Sequence, residues 1–189
     1  LKNLNENFNI SGIKIGAISS NKIVESASKF LDKFKKIPVV IDPIIEAGGG
    51  GKFIKKQNIN FSITKLYPKA TLLTPNLNEL KILSGYKTEK DSINSLLDLD
   101  IKNIFVTGKS RKNEVISTLF VNGIKELDVK AKKISKTFHG SGCALSTSIL
   151  CNFIKTKDLK ESCLNANEYM RKILKNSIKT KNQDFINFS

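Results

Sequence analysis

The chain has no tryptophan, one methionine (Met170), one histidine (His139) and three cysteines among its 189 residues. Cys143, Cys151 and Cys163 are odd in number and lack C-x-x-C spacing, so neither a disulfide framework nor a zinc site is indicated. Reduced thiols and a cytoplasmic location are the expectation. No apolar run approaches the roughly 18 residues of a membrane-spanning helix. The opening stretch Leu1 to Glu6 lacks the apolar core of a signal peptide. With its only methionine at position 170, the chain carries no initiator and is expected to be a processed, trimmed or truncated product. Arginine is scarce too. The net charge is +15, from 32 Lys+Arg against 17 Asp+Glu, but Arg111 and Arg171 are the only arginines. Nucleic-acid readers favour the bidentate guanidinium and interleave it with aromatics. Here lysine is spread along the whole chain, which describes solvated faces better than a nucleic-acid surface.

What is present alternates between two periods. Ile13 to Ile18 alternates as a strand and ends at Ser19-Ser20-Asn21, good helix N-cap chemistry. A helix follows with Ile23, Ala27, Phe30, Leu31 and Phe34 on one face. Pro38 to Ile41 is short and wholly apolar, the pattern of a strand buried on both sides of a parallel sheet. Four consecutive glycines, Gly48 to Gly51, form a loop, and a further helix closes near Leu66-Tyr67, before Pro68. Leu72 to Thr74 is again a strand, leading through Pro75-Asn76 into a helix that ends at Gly85, and Asp91 to Leu99 is the next helix. Ile104 to Thr107 is a buried strand. Asn122-Gly123 between Val115–Val121 and Ile124–Val129 is a strong hairpin signal. A helix from the Gly140 turn through Ile154 and an amphipathic helix over Leu159 to Ile178 complete the chain. The pattern predicts one α/β domain, residues 1–189, on a mostly parallel sheet flanked by helices, with one antiparallel hairpin.

In such sheets ligands bind beyond the carboxyl ends of the strands. Polar residues recur there: Asp42, Asn76 with Glu79, Thr107-Gly108, and His139 to Cys143. Gly140-Ser141-Gly142 opens a helix whose first N–H groups have no internal acceptor and can receive a phosphate or an oxyanion. Cys143 sits in that field, where its pKa is expected to fall. The plainer reading is a glycine-rich cap beside a buried cysteine. Asp42 and Glu79 suit a Mg²⁺ held through water, while each also has a plain use, as a turn residue and as a first-turn helix charge. Gly51-Lys52-Phe53 lacks the Ser or Thr of a P-loop, and Leu145 stands where a dinucleotide fingerprint needs its third glycine. His139 with Cys143 would make a thiol hydrolase, but no third orienting group is evident.

Taken together, Lys14-Ile15-Gly16, Ile41-Asp42-Pro43-Ile44, Thr74 to Glu79 and His139 to Cys143 have the order and spacing of the ribokinase-like superfamily. From about Lys14 to Lys179 the chain resembles hydroxymethylpyrimidine/phosphomethylpyrimidine kinases of thiamine biosynthesis. Cysteine after the second glycine points to the vitamin-kinase branch, which also holds pyridoxal kinases. The resemblance implies an ATP- and Mg²⁺-dependent kinase of a small pyrimidine alcohol or its phosphate. Cys143 would be the catalytic base, and Gly140, Ser141 and Gly142 the anion hole. Asn76, Thr107 and Gly108 would meet ATP; Gly16, Ala17 and Ile44 would line the substrate pocket; Asp42 and Glu79 would serve the metal. The Gly48–Gly51 loop would be a mobile cover. Three departures stand out: Ala17 replaces a methionine of the pyrimidine pocket, Thr107-Gly108-Lys109 replaces a glycine-rich strand end, and the family's first βα unit would precede Leu1. A sheet lacking that unit would expose apolar surface, which association into a homodimer would cover. Pyridoxal kinase, a silent ribokinase-like binding protein and a lysine-rich nucleic-acid binder are the alternatives.

Overall fold

The computed structural model describes residues 7–45, 56–134, 138, 140–178 and 186–187. The Gly48–Gly51 cover and His139 lie outside the described residues. Six strands form one sheet in the order β1 (Ile13–Ile15), β2 (Val39–Ile41), β3 (Leu72–Leu73), β4 (Asn103–Arg111), β5 (Glu114–Val121) and β6 (Ile124–Lys132). The first four are mutually parallel, and β4, β5 and β6 continue as an antiparallel meander. The Asn122-Gly123 turn between β5 and β6 has positive φ at both residues, the conformation that Asn-Gly tolerates best. β4 runs further than its apolar core Ile104–Val106 indicates, because its second half gains a partner in β5 that no local pattern announces.

The helices are α1 (Asn21–Leu31), α2 (Lys56–Lys65), α3 (Leu77–Ser84), α4 (Glu89–Leu97), α5 (Ser141–Thr156) and α6 (Leu159–Lys175). Strand alternation divides the core in two. Val39, Ile41, Leu73, Ile104 and Val106 face the cluster beneath α1 to α4, whereas Val40, Leu72 and Phe105 face the cluster beneath α5 and α6. This three-layer arrangement is what the wholly apolar strands imply.

Two local expectations are corrected. In α1 the buried stripe is Val24 and Leu31 with Ala27 packed beside them, while Ile23 is 52% exposed. The Ser20 cap, which accepts from the Ile23 amide, sets the helix phase, and 3.6-residue periodicity then turns Ile23 outward. α4 begins two residues before the predicted Asp91, because the Thr88 side chain caps it by accepting from the Asp91 amide.

Candidate active site

Gly16, Ala17, Asp42 and Ile44 follow the carboxyl ends of β1 and β2, Asn76 and Glu79 open α3, and Gly140 to Cys143 open α5. Thr107 and Gly108, expected at a strand end, lie inside β4 because its pairing with β5 continues to Arg111. Asp42 follows β2, and residue alternation points it to the same face as Val40, toward α5. Its side chain is almost fully buried and accepts from Ser146 Oγ of α5 at 3.3 Å. Lys14 Nζ of β1 lies 3.7 Å from the same oxygen. Burial pushes the Asp42 carboxyl above its ordinary range, and Lys14, Cys143 and Ser146 offset only part of that. A carboxyl raised in the fold favours folding most in acid, below its unfolded value, and loses that contribution as pH rises through the folded value. At neutral pH the charged Asp42 therefore weakens the fold. Asp42→Asn is expected to melt at a higher temperature than the wild type at pH 7, with the difference shrinking toward pH 4, as thermal unfolding across that range would show.

Asn76 caps α3. Its Oδ1 accepts from the Glu79 amide at 2.9 Å, and Glu79 Oε2 accepts from the Asn76 amide at 2.8 Å, a reciprocal capping box. Thr107 pairs with Asn76 across an isolated parallel bridge and donates its amide to Pro75 O at 2.9 Å. The β4–β5 register shifts between Val106 and Lys109, and Gly108 takes φ 75° within that bulge. The end of β3 and the middle of β4 are thereby locked side by side. Gly16 and Ile44 also meet: a Cβ placed on Gly16 would lie 3.9 Å from Ile44 Cδ1. Ala17, next to them in sequence, is exposed.

The start of α5 differs from the other capped helices. α1, α3, α4 and α6 begin on side-chain caps from Ser20, Asn76, Thr88 and Asp158. α5 begins on Gly140, at φ 80°, with no side-chain cap. The amides of its first turn are left to another acceptor. Two cavities meet at this turn. One, of about 280 Å³, is lined by Ser141 and Gly142 together with Thr107, Gly108 and apolar side chains such as Val115 and Met170. The other, of about 700 Å³, runs along α5 from Gly140 and Cys143 past Thr147.

The expected fall in the Cys143 pKa is not found. Burial first, then the neighbouring Asp42 charge, push its thiol up, and Lys14 counteracts only in part. Lost hydration on burial, and then a carboxylate beside the sulfur, both disfavour the thiolate.

The sequence profile of the phosphomethylpyrimidine kinase family matches residues 1–186. The chain belongs to this family. It is 29% identical over 185 residues to the hydroxymethylpyrimidine/phosphomethylpyrimidine kinase of Aquifex aeolicus, covering 95% of this chain and 72% of that protein. It is 26% identical to the pyridoxine kinase of Bacillus subtilis, over 94% of this chain and 68% of that one. Its fold matches the Bacillus subtilis pyridoxal kinase, solved as an ADP complex, with a TM-score of 0.82 at 24% identity, over 96% of this chain and 71% of that one. The chain is thus a phosphotransferase of ribokinase-like fold. Among the described residues no helix is long and apolar enough to cross a membrane.

Three residues near this candidate site have no role assigned by the sequence pattern. Ser146 looks like an ordinary helix residue until packing brings it to Asp42. Lys14 enters the sequence pattern only as part of Lys14-Ile15-Gly16, with no role of its own. Tyr67, in the short 3₁₀ turn Tyr67–Lys69, is buried, and burial pushes its hydroxyl up to about 12, with the charges of Glu79 and Asp42 adding to the effect. Both carboxylates therefore act on one interior region. Among the described residues no group of three or more His, Cys, Asp or Glu could hold a metal ion unaided. Two carboxylates without a full cage fit a cation that keeps its waters and takes phosphate oxygens as ligands.

Proposed function

We propose that this chain uses ATP and magnesium to phosphorylate hydroxymethylpyrimidine and its monophosphate. The observation that carries this reading is the uncapped N-terminus of α5 standing between two cavities. A donor phosphate entering past Thr107 and Gly108 would reach the amides of Ser141 and Gly142. An acceptor hydroxyl arriving from the side of Gly16 and Ile44, where Lys14 and Asp42 adjoin the thiol, would reach Cys143. Phosphoryl transfer needs this in-line placement and charge neutralisation more than covalent chemistry. The apolar part of the smaller cavity, with Val115 and Met170, suits a nucleotide base. Asn76 and Thr107 would hold the phosphates, and Gly16, Ala17 and Ile44 would border the acceptor. Asp42 and Glu79 would hold magnesium through water, supplying the positive charge that offsets both the donor phosphates and Asp42's effect on the thiol. Cys143 Sγ would take the hydroxyl proton as the acceptor oxygen attacks.

The 26% identity to a pyridoxine kinase supports a second reading, in which the acceptor is a pyridine alcohol. A coupled ADP-release assay with hydroxymethylpyrimidine, its monophosphate and pyridoxal separates the two. Turnover of the pyrimidines, abolished by chelating magnesium, is the expected result. Turnover of pyridoxal alone overturns the pyrimidine assignment.

A further inference from the structure

Lys14 is the middle residue of β1, between two isoleucines, and its side chain is only 21% exposed. Ile13 and Ile15 pack against the cluster beneath α1 to α4. Alternation sends Lys14 to the opposite face with its register partner Val40, where α5 covers the sheet. A lysine placed there gives up hydration and rotamer freedom that an aliphatic residue would not lose. Packing alone does not call for an ammonium at this position.

The ion pair with Asp42 gives the ammonium one partner but does not use all of its donor capacity. Lys29–Glu25 and Lys109–Glu89 close to 2.7 Å, and Lys102–Asp100 to 3.1 Å. Lys14 Nζ stays 3.7 Å from Asp42 Oδ2, beyond ordinary hydrogen-bond length. The ammonium offers three donors, and this carboxylate uses none of them at full strength. It also lies beside the Cys143 thiol, whose charged form it favours. Gly16 keeps the space around it clear, since a Cβ there would come within 3.1 Å of Nζ. A full positive charge thus stands next to Cys143 and the uncapped first turn of α5.

We propose that Lys14 is a side-chain phosphate-binding residue of this site, meeting the phosphoryl group at the start of α5 together with the first-turn amides. A helix end contributes about half a charge at its N-terminus, and Lys14 adds a whole one on the acceptor side. The proposal rests on the kinase reading for the identity of the phosphoryl group. The charge itself can be tested without turnover.

Cys143 is the reporter. Iodoacetate and iodoacetamide attack the same thiolate, so the ratio of their rates cancels the thiolate fraction and leaves the local field acting on an anion. Exposed Cys151, on the same helix, is the internal reference. In Lys14→Met the ratio at Cys143 is expected to fall about fivefold, on the scale of one charge at about 4 Å in a well-solvated cleft. The ratio at Cys151 stays unchanged, and Lys14→Arg keeps most of the wild-type value. In the wild type itself, 1 M salt lowers the Cys143 ratio, which needs no variant to fold. In turnover, Lys14→Met is expected to lower kcat at least tenfold with both pyrimidine acceptors while the KM for ATP moves less than threefold. A loss confined to the monophosphate acceptor would place the ammonium on the acceptor's own phosphate, still as a phosphate ligand. A Cys143 ratio insensitive to both salt and Lys14→Met, or unchanged kinetics with both acceptors in a folded variant, overturns the proposal. A wild-type chain that turns over no acceptor overturns the kinase reading instead, and the labelling ratio still decides whether Lys14 recruits an anion.

Discussion

Cys143→Ser is expected to lower turnover by on the order of a hundredfold, the usual scale for losing a positioned general base. The thiol is half-buried at the first turn of α5, beside Asp42 and Lys14. Serine keeps the size and the hydrogen bonding but loses a proton far less readily than a thiol, so it cannot take the acceptor's proton at neutral pH. Because Cys143 is not in the deep core, the exchange should change stability by no more than about 1 kcal/mol. ATP affinity should hardly move, since Ser141, Gly142, Thr107 and Gly108 are untouched. The ligand-free thiol is held above its ordinary value, so its alkylation should rise with pH later than that of a small free thiol in solution. Cys163, buried and pushed up to about 12, should stay unlabelled in the folded chain. Steady-state ADP release by the purified variant, with nucleotide titration alongside, makes the test. Wild-type turnover in Cys143→Ser would remove the thiol from the chemistry.

Phe105→Ala is expected to cost about 3–5 kcal/mol of unfolding free energy, by lost burial and the cavity left behind. Phe105 is 0% exposed in the apolar first half of β4 and shares its cluster with Val40, Leu72, Leu119, Ile149 and Leu150. Ile149 and Leu150 belong to α5, so the ring supports the helix whose first turn carries the site. Against a typical total of about 5–15 kcal/mol, the loss removes a large part of the stability. It corresponds to a melting temperature lower by roughly 10 °C for a chain of this size. Ile124→Ala, at a residue 65% exposed at the start of β6, is the control and should stay within about 0.5 kcal/mol. Urea unfolding of both variants measures the difference. Equal midpoints for the two would show that β4 is not the core of this sheet.

The residues of this chain determine much by themselves. Val39–Ile41, Leu72–Leu73 and Ile104–Val106 are strands of a doubly covered sheet because wholly apolar short runs have no other stable place. Asn122-Gly123 makes its hairpin because few other pairs accept positive φ twice. Asp42, Asn76 and Gly140 could be placed at strand or helix ends from local pattern alone, whereas Thr107, read as a strand end, lies inside β4. What lay beyond local pattern was every relation between distant segments. The Asn76–Thr107 bridge, Ser146 on Asp42 and the shared influence of Asp42 and Glu79 on Tyr67 join positions far apart in sequence. The direction of the Cys143 shift belongs to the same class. A glycine turn before a helix promises a stabilised thiolate, but only the tertiary packing buries the sulfur and then sets the Asp42 carboxylate against it, and both push the thiol up. Lys14 shows the limit most plainly: alternation decides that it leaves the face of Ile13 and Ile15, while only the position of α5 decides whether the other face is water or an active site.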